Sequence, residues 1–354
     1  MFNARVVLAS VALVLLFALC TWLLAPRLLP GLRAPAAGGA RALPSLELVD
    51  HWVQGGAPQA APGKPVVLLL WSDTDPRALA ALPVLEAWAH GWGEFGVTVA
   101  AVHEPEFSFA ADTTVPARIA RRLAPSLAVG ADPGGRFAAA LGGMTEGARL
   151  LVTDEQGRIV VDTVGVLEPG EQALTAWLER ALPERLPPMR VAAALPRGVR
   201  GVGLGAGRVV SGPLAGIAAG TEQVFVAPMR YEEQGAPWVP MPVGAWRVVS
   251  GGLTALRPGA ANFVSIRYSA GRAGVVVSPP PGSSARVWIL RDDQWPAAQD
   301  RDEDVVTDDH GGACIEVREA RLYWFDRGAG ERVVKLSPDA AGVTLHAFVF
   351  ADAR

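Results

Sequence analysis

The arrangement of apolar and polar residues divides the chain into two textures. Val66–Trp71 (VVLLLW) is an unbroken apolar run, the pattern of a strand buried on both faces. Arg77–Gly91 has helical spacing, with Leu79, Leu82, Leu85 and Trp88 along one face. Val97–Val102 predicts a second buried strand. Val115–Leu123 predicts a helix whose outer side carries Arg118, Arg121 and Arg122. Arg149–Thr153 and Arg158–Thr163 predict a hairpin turning at Asp154–Gly157. Pro169–Leu182 closes the unit as a helix with Leu174, Trp177 and Leu178 inward. The predicted order is β-α-β-α-β-β-α.

After Pro183 the pattern changes. PERLPPMR and GVGLGAG are rich in Pro and Gly and predict a linker. Beyond about residue 208 only short strands separated by turn residues are predicted, among them Trp246–Val249, Phe263–Tyr268, Gly274–Val277, Arg286–Leu290, Cys314–Val317, Arg321–Phe325, Arg332–Leu336 and Val343–Phe350. That texture predicts an all-β sandwich of jelly-roll type. Trp246, Trp288 and Trp324 fall in strands and are expected in the core. Trp238 and Trp295 sit beside prolines in loops and are the candidate sugar-stacking contacts.

The N-terminal segment differs from both. Val6–Leu24 contains no charge and as a helix would measure roughly 28 Å, enough to cross a bilayer. It predicts an uncleaved transmembrane anchor, with a cleaved signal peptide as the rival. The expected organisation is anchor 1–25, Pro/Ala/Gly-rich tether 26–45, α/β domain 46–183, linker 184–207 and β-sandwich 208–354.

Composition mostly excludes. A net charge of −3 and the absence of a basic run leave no electrostatic footprint for nucleic acid. The glycines at 201, 203, 205 and 207 do not form a dinucleotide loop, and no nucleotide or other cofactor is expected. Cys20 lies in the apolar run and Cys314 far along the chain; they make neither a metal site nor a disulfide framework. Asp300, Asp302 and Asp304 alternate, as calcium ligands can, but the EF-hand glycine and closing glutamate are missing, so a solvated acidic loop is the first expectation. His103 in HEPE is expected to be a satisfied histidine at a strand end; a metal corner is the alternative.

The segment WSDTDPRALAALPVLE (71–86) resembles the W-A-x-W-C-x-x-C-x-x-E-x-P-x-L pattern of membrane-tethered, extracytoplasmic thioredoxins of the TlpA-like kind. VTDEQGRIV (152–160) is similar to the hairpin of that family. AAVHEPEFSF (100–109), GAWRV (244–248), EARLYWF (319–325) and LHAFVFA (345–351) resemble segments of DipZ-like proteins, in which a redoxin unit precedes a β-sandwich. The resemblance covers nearly the whole chain beyond the tether. It implies a thioredoxin-like domain, and it maps the attacking cysteine to Asp75, the resolving cysteine to Ala78 and the cis proline of the family to Ala148. Each departure falls on the chemistry, because exchange needs a thiolate and a leaving thiol. Residues 46–182 contain no cysteine in any register.

Asp75-Pro76 instead has the signature of a helix start, with Asp at the N-cap and Pro at the first helical position. The expectation is an envelope protein, anchored with its bulk outside the cytoplasm, that binds a protein or a cell-wall glycan without catalysis. The former substrate groove, around Trp71, Ser72, Asp73, Thr74, Thr145 and Arg149, is the candidate contact surface. The alternatives are a part in thiol-disulfide exchange through a partner oxidoreductase, and a carbohydrate-binding envelope protein.

Overall fold

The computed structural model describes residues 41–143, 147–188, 195–209, 211–227 and 236–352. The apolar run at 6–24 and Thr145 lie outside the described residues. Among the described residues no helix is long and apolar enough to cross a membrane.

The first unit runs β1 (His51–Gln54), β2 (Val66–Trp71), α1 (Pro76–Gly93), β3 (Thr98–His103), α2 (Thr114–Leu123), β4 (Ala128–Ala131), α3 (Arg136–Ala140), β5 (Arg149–Thr153), β6 (Ile159–Val164) and α4 (Glu168–Ala181). Its sheet has the order β1-β4-β3-β2-β5-β6. β2, β3 and β4 are parallel; β1, β5 and β6 are antiparallel to their neighbours. The central strand β2 is buried along its whole length because side chains leave it on both faces into packed layers. Val67, Leu69 and Trp71 pack with Leu82, Leu85 and Trp88 of α1 and with Leu174 and Trp177 of α4. Leu68 and Leu70 face the other way, onto Phe137 of α3 and Leu141.

The second unit comprises β7 (Arg200–Gly203), β8 (Glu222–Phe225), β9 (Met241–Val249), β10 (Gly252–Ala255), β11 (Phe263–Ser269), β12 (Arg272–Ser278), β13 (Ala285–Arg291), β14 (Val305–Thr307), β15 (Ala313–Val317), β16 (Arg321–Arg327), β17 (Glu331–Pro338) and β18 (Thr344–Ala351). These strands do not form two unconnected sheets, as a simple sandwich would. One hydrogen-bonded path runs β14-β15-β13-β17-β11-β9-β10-β18-β12-β16. The long strand β9 makes the corner, pairing with β11 through residues 241–243 and with β10 through 246–249. Gly244 lies between, at φ 90°, and a Cβ there would stand 2.3 Å from Oδ1 of Asn262. That oxygen accepts from the Ala245 N–H, so the bend requires glycine. The ends of the path approach one another: the amides of Asp302 and Asp304, just before β14, donate to Phe325 and Trp324 of β16. The enclosed core holds Trp246, Tyr268, Phe325, Phe348 and Phe350.

Two expectations change here. Residues 200–203, taken for linker, form β7 and pair with β18; an edge pairing uses only backbone, so its glycines are no obstacle. Trp288 is only half-buried, because Val287 and Ile289 on either side of it point into the core and strand alternation turns Trp288 outward.

Candidate functional site

Asp75 stands where the resemblance puts the attacking cysteine, and it starts α1. Its Oδ1 accepts from the Arg77 N–H at 2.8 Å, and Arg77 Nη2 lies 3.0 Å from its Oδ2. Pro76 follows at the first helical position. The carboxylate therefore satisfies an orphan amide and is neutralised by its own neighbour. Ala78 is fully buried against the core, and Ala148 is buried with its carbonyl accepting from the Gly165 N–H. No side chain at these three positions can exchange a disulfide.

The second unit lies over this helix start. Phe107, just beyond β3, packs among Val276, Leu322, Trp324, Ala347 and Val349. Phe107 stacks on Phe109 at 5.5 Å, and both rings contact His346 of β18. Arg208 donates to Glu106 Oε1 at 3.1 Å and to the Glu106 carbonyl at 3.0 Å. Glu106 Oε2 accepts from Thr74, whose hydroxyl also meets Ser72. Between the units is a cleft of about 550 Å³. One wall is Trp71, Ser72, Thr74–Arg77, Glu104 and Glu106; the other is β7, Arg208, Val276, Ala347 and Val349.

Of the predicted groove residues, Trp71, Ser72 and Thr74 line this cleft. Asp73 and Arg149 do not. Asp73 turns inward, with Oδ1 3.2 Å from His103 Nε2 in a wholly buried pair. Strand alternation sends Arg149 to the α3 side, where Nε and Nη2 each reach Asp162 at 2.7 Å. Hydrogen bonding to Asp162 holds its guanidinium above the usual range.

Glu104 is the residue that sequence reasoning missed. It directly follows β3, is only 5% exposed, and has a buried Oε1 with no hydrogen-bond partner. Burial pushes its carboxyl up to about 7, the negative charge of Asp132 adds to the rise, and Arg149 opposes it. The available signal was an acid directly after the mostly apolar strand β3, beside the histidine that was singled out.

The other candidates resolve differently. Trp238 sits edge-on to Phe350 at 4.9 Å with Arg200 over its ring, so it is packed and not offered to a sugar. Trp295 is 47% exposed, with Trp288 beside it at 6.0 Å. Asp300, Asp302 and Asp304 pair with Arg291, Arg272 and Arg321 respectively, leaving no charge for a cation. Among the described residues no group of His, Cys, Asp and Glu could hold a metal. Cys314 is buried between β13 and β14, and burial pushes its thiol up, away from the reactive form.

No protein-family model and no curated protein matches the chain. Solved structures do. A thioredoxin-like protein in its oxidized form is 18% identical over 40% of this chain and 97% of its own, with a TM-score of 0.35. A protein described as the thiol:disulfide interchange protein DsbE from Chlorobium tepidum is 18% identical over 40% and 96%, TM-score 0.32. The N-terminal domain of PilB from Neisseria gonorrhoeae is 22% identical over 36% and 82%, TM-score 0.29. The first unit has three parallel strands, an antiparallel hairpin, and a helix that starts just beyond the end of the central strand. It is a thioredoxin-like α/β domain followed by an all-β domain.

Proposed function

We propose that this chain is a membrane-anchored envelope protein whose thioredoxin-like domain has no thiol chemistry and binds a ligand or a partner's side chain in the cleft between its domains. The observation that carries this is Asp75, capped and ion-paired at the helix start where exchange would need a thiolate. The cleft supports a small occupant or a single inserted side chain, because the all-β domain stands over the opening that a folded client would need. The 6–24 run and the resemblance to tethered extracytoplasmic thioredoxins support the anchor and a location outside the cytoplasm.

The test is insulin reduction by the full-length chain in detergent with dithiothreitol as electron source. We expect no acceleration over dithiothreitol alone; turnover would sink the non-catalytic reading, and Cys314→Ser would then show whether the remaining thiol carries it. Resistance of the chain to alkaline carbonate extraction tests the anchor, and release into the supernatant would refute it.

A second reading rests on Trp295, an exposed indole with Trp288 beside it on the outer face of the all-β domain. Such a pair can stack on a sugar ring. Retention of the full-length chain on isolated cell-wall glycan, lost in Trp295→Ala, would favour it; equal retention of the variant would remove it.

A further inference from the structure

Among the described residues β7 pairs with β18 alone, so one of its edges has no partner strand. The Leu204 amide, just beyond β7, donates to the His346 carbonyl of β18 at 2.9 Å. Successive residues of a strand turn their N–H and C=O groups to opposite edges. Val202 therefore bonds to β18, whereas Gly201 and Gly203 turn theirs to the free edge. Gly201, Val202 and Gly203 all line the cleft. Gly201 and Gly203 stand opposite Val349 and Ala347, which pack with Phe107, so the bare face of β7 is turned toward the first unit. Gly201 is exposed and Gly203 half-buried, and a Cβ at Gly201 would meet nothing within 4 Å. The charges nearby are matched, Asp75 by Arg77 and Glu106 by Arg208. The hydroxyls of Ser72 and Thr74 on the facing wall are bonded to each other, and Thr74 also to Glu106. What lies open on the wall of the second unit is main chain.

We infer that the cleft takes an uncharged, extended segment of a partner polypeptide, which adds to β7 as a strand through the backbone groups of Gly201 and Gly203. An unpaired strand edge offers donors and acceptors at the spacing of another main chain, and a strand laid along it satisfies both. From Gly201 to Gly203 is roughly 7 Å of strand, a span met by about three ligand residues. The missing side chain at Gly201 gives that segment room on the cleft side. A charged segment would have to break the Asp75–Arg77 or the Glu106–Arg208 pair, and a compact ligand without alternating amides would match only part of the edge. This inference rests on the cleft-binding reading above and names the chemistry of the occupant.

The test titrates the full-length chain in nanodiscs with the capped peptide acetyl-Thr-Val-Thr-Val-Thr-amide and two isomers of it, with empty nanodiscs as reference. One isomer carries N-methyl groups on its second and fourth residues, the other on its first, third and fifth. Only alternate N–H groups of an added strand face β7. One isomer should therefore bind within about threefold of the parent and the other at least tenfold more weakly. Bound parent should slow amide hydrogen exchange at Gly201 and Gly203 and leave Val202, already bonded to β18, unchanged. Gly201→Pro removes an outward N–H and no bond to β18, and should weaken the parent at least tenfold; Gly201→Ala, whose Cβ enters open space, should not. A parent whose two isomers bind equally well or lose binding equally, or whose binding survives Gly201→Pro unchanged, would overturn strand addition and leave the cleft reading standing. Tighter binding of the uncapped peptide would overturn the internal segment, because charged ends would then be what is read. Binding of no peptide would overturn strand addition as well. In that case n-butanol is the second probe: perturbation of the amide resonances of Gly201–Gly203 by butanol keeps the cleft as a ligand site, and none removes both readings.

Discussion

Glu104 and Asp326 are both buried carboxylates, and their surroundings could hardly differ more. Asp326 sits inside the all-β domain with Oδ2 accepting from the Tyr268 hydroxyl at 2.5 Å and from Arg332 at 2.6 Å, and with Arg291 at 3.5 Å from Oδ1. Arg332 itself is held by the carbonyl of Ala270. Glu104 sits at the edge of the cleft with neither cation nor donor on its Oε1. The first arrangement holds strands β11, β16 and β17 in place. The second leaves a buried carboxylate with no side chain at hydrogen-bond distance among the described residues, although Asp326 too has one oxygen, Oδ1, without a hydrogen bond.

The sharpest way to break the comparison is Arg332→Met. It leaves Asp326 underpaired and should cost about 3–5 kcal/mol, read as a lower urea midpoint. A cost under about 1 kcal/mol would show that Tyr268 and Arg291 suffice. Removing charge at Glu104 should act in the opposite direction. Its carboxyl is raised from 4.5 to about 7, so the native state is at its most favourable with the group protonated. The stability it allows is complete below about 4.5 and is lost as pH rises through about 7. Glu104→Gln should thus stabilise the protein at about pH 8, by up to about 3 kcal/mol, and leave it unchanged in acid. A melting-temperature series across pH reads this directly; no gain at alkaline pH would mean that Glu104 is solvated.

His346 makes the mirror demand. Burial lowers it from 6.5 to about 4, so its contribution is present above 6.5 and is lost as pH falls through about 4. The loss is of order 3 kcal/mol for the wild type, and His346→Asn should remove that acid dependence. Because His346 touches Phe107 and Phe109, the acid form should also loosen the contact between the domains, seen as faster amide exchange at residues 107–109. The smallest effect belongs to Asp75→Ala, about 1 kcal/mol for a lost helix cap at any neutral pH. A much larger loss would mean that the Asp75–Arg77 pair holds more than the first turn.

How far the sequence carried follows from what each residue depends on. β2 is legible because a strand buried on both faces must be apolar throughout, and VVLLLW is. The Asp75 cap is legible because cap and amide are two residues apart. β4 is not, since Ala128–Ala131 (AVGA) has small side chains with no strand signature and pairs through backbone alone. The acidic alternation at 300–304 reads as a solvated loop because its neutralising arginines come from three other places, positions 272, 291 and 321. Glu104 escaped for the inverse reason. Nothing local tells whether a glutamate will find a partner across the sheet, and here the arginine behind it was taken by Asp162.

The second domain also sets what could ever reach the start of α1. If Asp75→Cys and Ala78→Cys were introduced, any disulfide between them would lie at the floor of a cleft roofed by β7 and Arg208. Dithiothreitol would enter and reduce it, whereas a folded thioredoxin would meet the roof first. The same architecture that lacks a reaction would then sort reductants by size, and comparable reduction rates for both would show that the roof lifts.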